Sequence, residues 1–267
     1  MWSGFINVPD SSKRIHYLLV ESQRDPATDP LVLWYNGGPG CSSMLGFMQE
    51  HGPFSWPDGA ATWAGPNPDS WNKEANVLYI EQPAGVGYSY FANPDDIGFN
   101  FTDHNAAEDN LHAVLGWYEK FPEFKTNDLY VSGESYGGIY VPYLVYLMDT
   151  YIEANLDNPD AFLPPLKGMM VGNGVTNWTY DATPSGFELA YWNSLINQTL
   201  YDAKHENGCT LSVVDTDKSE ICMRIENEFG ELWSVMNVYD IYGSCYQETP
   251  TLRSAKEGDV KKPYWTA

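Results

Sequence analysis

The feature that most constrains the fold of this chain is a short apolar segment that runs directly into a serine between glycines. Residues 129–132 (Leu-Tyr-Val-Ser) have the composition of a buried strand, residues 133–137 read Gly-Glu-Ser-Tyr-Gly, and a helical run follows over residues 138–153. This order predicts a strand, a sharp turn and a helix, the arrangement that exposes a nucleophilic serine, here Ser135, above a sheet. The glycines suit such a turn because it is sharp and closely packed. An ordinary tight turn without chemistry is the alternative interpretation.

Strand-like and helical segments alternate along the first 175 residues. A helix is expected to begin at Asp103, which can cap it, and to end before Pro122. Its apolar residues share one face at helical spacing: Ala107, Leu111, Val114, Leu115 and Tyr118. Apolar runs typical of strands occupy residues 14–22, 31–35, 76–81, 129–132 and 166–171. The alternation predicts an α/β fold with a mostly parallel central sheet and helices on both faces.

The pattern changes after about residue 175. Strand-like runs stop, and residues 183–240 read as short helices around Cys209 and Cys222. Residues 253–262 contain four of the fourteen basic residues of the chain. We therefore expect three parts: the α/β core in residues 1–175, an inserted helical subdomain in residues 176–252, and an exposed tail in residues 253–267.

The charge of the chain restricts its partners and its compartment. Thirty-six acidic residues against fourteen basic ones give a formal net charge of −22. Such a field argues against nucleic acid or an anionic membrane as a partner. It favours an acidic compartment, where protonation of carboxylates relieves their mutual repulsion. No run approaches the roughly 20 apolar residues of a membrane span, and residues 1–8 lack the pattern of a signal peptide, as expected of a mature or trimmed chain.

Glycosylation sequons and cysteines indicate the secretory pathway. The sequons begin at three asparagines: Asn100, Asn177 and Asn197. None of the four cysteines has CxxC spacing, and no Cys/His cluster is present, so disulfides are favoured over a metal site. Cys209 and Cys222 are close enough in sequence to close a loop. No metal or cofactor is expected.

A second glycine-rich segment, residues 36–40 (Asn-Gly-Gly-Pro-Gly), follows the predicted strand at 31–35. In α/β hydrolases, one backbone amide of the oxyanion hole comes from a loop at this place, and the other comes from the residue after the nucleophile. These amides would belong to Gly38 and Tyr136. Binding of phosphate is the alternative, but the segment lacks the G-K-[ST] and the spaced GxGxxG of phosphate loops.

Five blocks of sequence carry a resemblance to a known family. They are residues 34–43 (WYNGGPGCSS), 50–54 (EHGPF), 81–89 (EQPAGVGYS), 121–124 (FPEF) and 133–138 (GESYGG). The chain resembles the serine carboxypeptidases, and the blocks occur in the order of that family. The resemblance implies an α/β-hydrolase fold with an inserted helical lid subdomain, of which this chain lacks the C-terminal part.

The resemblance also implies roles for single residues. Ser135 matches the nucleophile, Gly38 and Tyr136 match the oxyanion-hole amides, and the substrate's terminal carboxylate is bound at Asn36, Gly37, Glu50 and Glu134. Two glutamates that face a carboxylate must retain a proton, so their pKa values should be raised. The implied activity is release of C-terminal residues from peptides at acidic pH through an acyl-enzyme. Related plant acyltransferases usually carry Asp at the position of Glu134, which favours peptide hydrolysis over acyl transfer or hydroxynitrile lysis.

The general base and its orienting acid are missing from the sequence. In α/β hydrolases they follow the nucleophile in the order Asp, then His, and the only histidine after Ser135 is His205, which is expected on the surface of the insertion. By resemblance, Cys209 pairs with Cys222, whereas Cys41 and Cys245 pair with cysteines outside this chain. We therefore expect the large chain of a two-chain enzyme, whose smaller chain supplies Asp and His. The tail at residues 253–267 would then be the region of the excision that separates the two chains.

The resemblance also bears on the location, the assembly and the alternative functions of the protein. The expected location is the lysosome, the vacuole or the secreted fraction, and a homodimer is a possible assembly. A non-catalytic protective or binding role, or acyl transfer, is the alternative function. A fragment without a partner chain would expose sheet edge and apolar surface and should aggregate.

Overall fold

The computed structural model describes residues 1–55, 62 and 65–242 of the protein. Two compact units are distinguished: the first comprises Met1–Gly174, and the second begins at Val175. The tail expected at residues 253–267 and Cys245 lie outside the described residues. No described helix combines the length and the apolar character that a bilayer span requires.

The first unit is built on a mixed sheet. The strands of this sheet are β1 (Trp2–Asn7), β2 (Lys13–Val20), β3 (Leu31–Tyr35), β6 (Asn76–Glu81), β7 (Tyr90–Phe91), β8 (Leu129–Glu134) and β9 (Leu166–Gly172). A separate two-stranded sheet consists of β4 (Phe54–Ser55) and β5 (Gly65–Pro66). The order in the sheet is β1-β2-β6-β3-β8-β9, and β7 pairs with β2. The strands β6, β3, β8 and β9 are mutually parallel, whereas β1, β2 and β7 are antiparallel to their neighbours. The predicted α/β class is confirmed.

Burial explains why the central strands are mostly apolar. Every residue of β3 and of β6 is buried. Parallel strands covered on both faces have no solvent side that would call for polar residues. The runs at 31–35 and 76–81 therefore predict these strands at their observed bounds. By contrast, β1 carries mostly exposed residues, has no such signal, and forms a strand through its antiparallel pairing with β2.

Two long helices belong to the first unit, α1 (Asp103–Lys120) and α2 (Gly137–Ala154). The prediction that Asp103 caps α1 is wrong. The N-cap is Thr102, whose Oγ1 accepts from the Asn105 amide at 3.3 Å, while Asn105 Oδ1 accepts from the Thr102 amide at 3.0 Å. This reciprocal pair satisfies two helix-end amides and leaves the Asp103 carboxylate available for a contact elsewhere.

The second unit is helical over its described part, as its sequence indicates. It contains α3 (Thr183–Trp192), α4 (Gln198–Glu206) and α5 (Glu220–Trp233). The rings of Phe187 and Phe229 meet at 5.1 Å in its buried core. A disulfide joins Cys209 to Cys222. The disulfide ties the segment after α4 to the first turn of α5.

Candidate active site

Ser135 lies in a sharp turn between β8 and α2. Its φ is 57°, in the left-handed region that side chains rarely adopt, and its amide donates to the Gly172 carbonyl at 3.1 Å. A Cβ on Gly133 would lie 2.7 Å from the carbonyl oxygen of Tyr35, and one on Gly137 would lie 3.3 Å from the same atom. Gly133 is thus required because β3 passes close to the turn, and Gly137 lies close to the same strand.

The glycine-rich loop at the end of β3 lies against this turn. A Cβ on Gly37 would lie 2.9 Å from Ser135 Cβ and 2.7 Å from the Glu134 carbonyl oxygen. The next residue, Gly38, has a φ of 117°, a conformation that glycine adopts without steric cost. The segment that contains Gly38 and the segment that contains Tyr136 are therefore neighbours, as the oxyanion-hole hypothesis requires.

Asn36 joins two glutamates that are distant in sequence. Its Nδ2 donates to Glu50 Oε1 at 3.0 Å and to Glu134 Oε1 at 2.8 Å. Its Oδ1 accepts from Trp34 Nε1 at 2.8 Å and from the Gly46 amide at 2.9 Å. Two N–H donors on Oδ1 fix the orientation of the buried amide, so that both Nδ2 hydrogens point at carboxylates.

Electrostatics at this cluster favour retention of a proton. Partial desolvation raises the pKa of Glu50, and the nearby Glu134 carboxylate raises it further, while the hydrogen bond from Asn36 lowers it in part. A protonated Glu50 becomes a hydrogen-bond donor. Together with the amide of Asn36, the cluster can therefore bind an incoming carboxylate instead of repelling it.

An open cavity of about 360 Å³ adjoins Glu134. Trp34 and Trp71 contribute aromatic walls, and Met170 and Val171 of β9 contribute aliphatic ones. The cavity is therefore apolar around a carboxylate, a surface that fits an apolar side chain next to a polar group.

Beneath the cluster, His51 is enclosed by aromatic rings. It stacks on Trp71 with ring centroids 4.1 Å apart and meets Trp34 edge-on at 4.2 Å. Its Nδ1 lies 3.0 Å from Tyr79 Oη. Burial lowers the pKa of His51 to about 4. The ring thus packs against Trp34, the same residue that orients Asn36.

Asp103 contacts the residue after the nucleophile. Tyr136 Oη donates to the Asp103 carboxylate at 3.0 and 3.2 Å. Burial raises the pKa of Asp103, and the hydrogen bond from Tyr136 opposes this shift. This contact holds the Tyr136 side chain against the start of α1.

The described residues contain all five histidines, and none of them forms a hydrogen bond with Ser135. They are His16 and His51, which are buried, His104 and His112 on α1, and His205 at the end of α4. His205 Nε2 lies 3.4 Å from Glu188 Oε1 within the second unit. Ser135 therefore has no histidine base in the described part of the chain.

The remaining predicted site residues are accessible. Asn100, Asn177 and Asn197 are all exposed, as glycan attachment requires. Cys41 is exposed and forms no disulfide within the described residues. No group of three or more His, Cys, Asp or Glu that could hold a metal ion occurs in the described part of the chain.

Sequence reasoning missed Trp34, Trp71 and His51 as parts of this site, and it misassigned Asp103. A signal for Trp34 exists: it lies two residues before Asn36 on an extended segment, so both side chains point to the same side. No comparable local signal exists for Trp71 or for His51, because their contacts join separate segments.

Comparison with known proteins supplies the remaining evidence. A protein-family model described as serine carboxypeptidase matches residues 1–266. The lysosomal protective protein of Mus musculus is 38% identical over 254 residues, which are 93% of this chain and 50% of that protein. Serine carboxypeptidase 1 of Hordeum vulgare is 36% identical over 267 residues, covering 97% of this chain and 50% of the relative. The chain thus spans about half the length of these relatives.

A solved structure agrees at the level of the fold. A prohormone-processing carboxypeptidase of Saccharomyces cerevisiae, Kex1Δp, superposes with a TM-score of 0.70 at 23% identity. The superposition covers 86% of this chain and 52% of the yeast chain.

Proposed function

Since this chain belongs to the serine carboxypeptidase family, we propose that the full-length protein is a serine-type carboxypeptidase that releases C-terminal residues from peptides at acidic pH. The observation that carries the proposal is the contact of Asn36 with both Glu50 and Glu134 beside the Ser135 turn. An amide between two carboxyl groups recognises a carboxylate, and Glu134 immediately precedes the proposed nucleophile.

The proposed chemistry is acyl transfer to Ser135. Its Oγ attacks the carbonyl carbon of the last peptide bond and gives its proton to a histidine base. The amides of Gly38 and Tyr136 donate to the oxyanion that forms. The C–N bond then breaks, the departing amine takes the proton from the histidine, and water hydrolyses the resulting ester to regenerate the serine.

The position of the scissile bond is set by carboxylate recognition. Asn36, a protonated Glu50 and Glu134 hold the terminal carboxylate of the substrate, with help from the backbone of Gly37. In this proposal, the residue that is released lies between the bound carboxylate and Ser135. The apolar cavity beside Glu134 accommodates the side chain of that departing residue.

We propose that Asp and His come from a segment outside this chain, either a smaller second chain or a downstream part of one polypeptide. Among the described residues, the outer edge of β9 has no strand partner. Met169 is 52% exposed there and Met170 is 44% exposed. Unpaired strand edges and exposed apolar side chains are normally covered in a complete fold, so further strands are expected at this edge. The thiol of Cys41 and that of Cys245 would link the two parts through disulfides.

Several features support the secretory pathway, with the lysosome, the vacuole or secretion as the destination. Three sequon asparagines are exposed, and a disulfide closes the second unit. A homodimer and the assignment of residues 176–252 as a lid stay predictions. A protective role is the second candidate function, because one relative is named a lysosomal protective protein. Such a role would not require Ser135 to be reactive.

The test compares the full-length protein with its Ser135→Ala variant. We expect release of the C-terminal residue from a blocked dipeptide near pH 5, labelling by a fluorophosphonate probe, and loss of both in the variant. Ser234→Ala, at the end of α5, is the matched control and should keep full activity. Unchanged activity in Ser135→Ala would contradict the proposal. Free thiols at both Cys41 and Cys245 in an active preparation would contradict the disulfide link.

A further inference from the structure

A buried carboxylate that the proposed chemistry does not use lies at the end of β6. Glu81 is fully buried. Its Oε1 accepts from Ser42 Oγ, and its Oε2 accepts from the Tyr88 amide at 2.8 Å and lies 2.9 Å from His16 Nδ1. A buried charge is costly unless it is paired and hydrogen-bonded. Three other segments of the chain therefore converge on this one carboxylate.

The surroundings of Glu81 favour its charged form. Burial alone would raise the pKa of Glu81, but hydrogen bonds from His16, Ser42 and Tyr88 outweigh burial and lower it. Gly87 makes room for the carboxylate, since a Cβ there would lie 1.8 Å from Glu81 Oε1. The site is thus shaped around an anion.

His16 connects Glu81 to the edge of the sheet. The register pairs His16 with Glu81 across β2 and β6, and with Phe5 across β1 and β2. His16 Nε2 lies 2.8 Å from Ser3 Oγ. A polar chain therefore runs from β1 through β2 and β6 to Ser42.

Ser42 belongs to the loop that contains the proposed oxyanion amide of Gly38. Gly38 and Gly40 both have positive φ values, and a glycine-rich loop has high conformational freedom unless other contacts restrain it. The loop is fastened to β6 at two places: Ser43 Oγ donates to the Ile80 carbonyl at 2.7 Å, and Ser42 Oγ donates to Glu81. Of these two hydrogen bonds, the one to Glu81 is charge-assisted and therefore the stronger.

We propose that Glu81, paired with His16, is a positioning residue that holds the oxyanion loop in place through Ser42. The inference rests on the function proposed above. Hydrogen bonds of Asn36 hold the carboxylate cluster separately. Loss of the anchor should therefore reduce kcat and leave KM nearly unchanged.

The test uses the full-length protein and the variants Ser42→Ala, Ser42→Thr and Glu81→Gln. Removal of one oxyanion donor costs on the order of 10² to 10³ in kcat, so a displaced donor in Ser42→Ala should cost about tenfold or more. Ser42→Thr keeps the hydroxyl and should recover most of the loss. Glu81→Gln keeps an acceptor without charge and should fall between the wild type and Ser42→Ala.

Ser89→Ala is the matched control. Ser89 Oγ donates to the Glu81 backbone carbonyl at 2.6 Å and accepts from the His16 amide at 2.8 Å, so it fastens the same strands without contacting the loop. It should lower the thermal unfolding temperature about as much as Ser42→Ala does and leave kcat unchanged.

Two substrates separate this inference from the proposed function: a blocked dipeptide and a small activated ester without a carboxylate. If the wild type hydrolyses the ester through Ser135 but releases no C-terminal residue from the dipeptide, only the carboxypeptidase proposal is contradicted. The positioning role of Glu81 would be overturned if Ser42→Ala left kcat for the ester unchanged or changed KM alone. It would also be overturned if Ser89→Ala lost as much kcat as Ser42→Ala. Ester hydrolysis that survives in Ser135→Ala would overturn both.

Discussion

Gly37 and Tyr136 approach so closely that a Cβ on Gly37 would lie 2.3 Å from the Tyr136 backbone nitrogen. No real side chain tolerates such a distance to backbone. The glycine-rich loop after β3 and the turn after β8 are therefore packed backbone against backbone, and their relative position depends on the absence of a side chain at this one residue.

Gly37→Ala should displace one of these segments and lower kcat about 100-fold, the cost of losing an oxyanion donor. The measurement is the hydrolysis rate of a blocked dipeptide by the full-length protein. Gly230→Ala introduces the same methyl group on α5, where a Cβ would meet nothing within 4 Å, and should leave kcat unchanged. Equal rates in Gly37→Ala and the wild type would show that the contact does not matter for turnover.

Glu50→Gln should reduce the dependence of KM on pH. The raised pKa keeps Glu50 protonated, and able to donate, above its ordinary value of 4.5. As pH rises through the raised pKa, the ionised group repels the substrate carboxylate, and KM of the wild type should increase. Glutamine donates at every pH, so at pH 7 KM of the variant should be lower than KM of the wild type.

A peptide amide, which lacks the terminal carboxylate, is the control substrate for Glu50→Gln. Its KM should be insensitive to the substitution between pH 5 and pH 7. The same steep rise of KM with pH in the variant and the wild type would contradict a role for Glu50 in carboxylate binding.

His51 should make the protein less stable in acid. Its pKa falls from an ordinary value of 6.5 to about 4 in the folded state. A depressed histidine pKa contributes stability above the unfolded value, and this stability is lost as pH falls from 6.5 towards 4. The loss is about 3 kcal/mol. Phenylalanine does not titrate. Between pH 6.5 and pH 4, the free energy of unfolding of His51→Phe, measured by urea denaturation, should therefore fall by about 3 kcal/mol less than that of the wild type. The same pH dependence of the free energy of unfolding in His51→Phe and the wild type would contradict the lowered pKa of His51.

Lys13→Met should destabilise the first unit strongly. Lys13 Nζ lies 2.7 Å from Asp109 Oδ2, and the two side chains are 11% and 8% exposed. Removal of the lysine leaves a buried carboxylate without its counterion, which costs about 3–5 kcal/mol. The double variant Lys13→Met/Asp109→Leu should recover most of that loss, as measured by urea denaturation.

The exposed pair of Lys167 and Asp128 is the matched control for the buried pair. These side chains are 50% and 56% exposed and 3.4 Å apart. Lys167→Met should therefore cost no more than about 1 kcal/mol. Equal losses at the buried and the exposed pair would show that burial does not control the strength of these ion pairs.

The sequence by itself determined the elements whose signals are local. The mostly apolar runs at 31–35 and 76–81 predict β3 and β6 at their observed bounds, because strands buried on both faces are rich in apolar residues. The Gly-Glu-Ser-Tyr-Gly segment likewise predicts the turn between β8 and α2. Its glycines make room for β3, and this requirement is visible in the residue types alone.

Tertiary structure alone decided which distant residues meet. The β1 strand exists because β2 pairs with it, and Asp103 contacts Tyr136 instead of capping α1. Local residue patterns do not bring Asn36 to Glu134, 98 positions later; the resemblance to a family suggested their common role, and the parallel pairing of β3 with β8 brings them together. A hydrogen bond between segments depends on the path of the chain, and that path is set by the packing of the whole sheet.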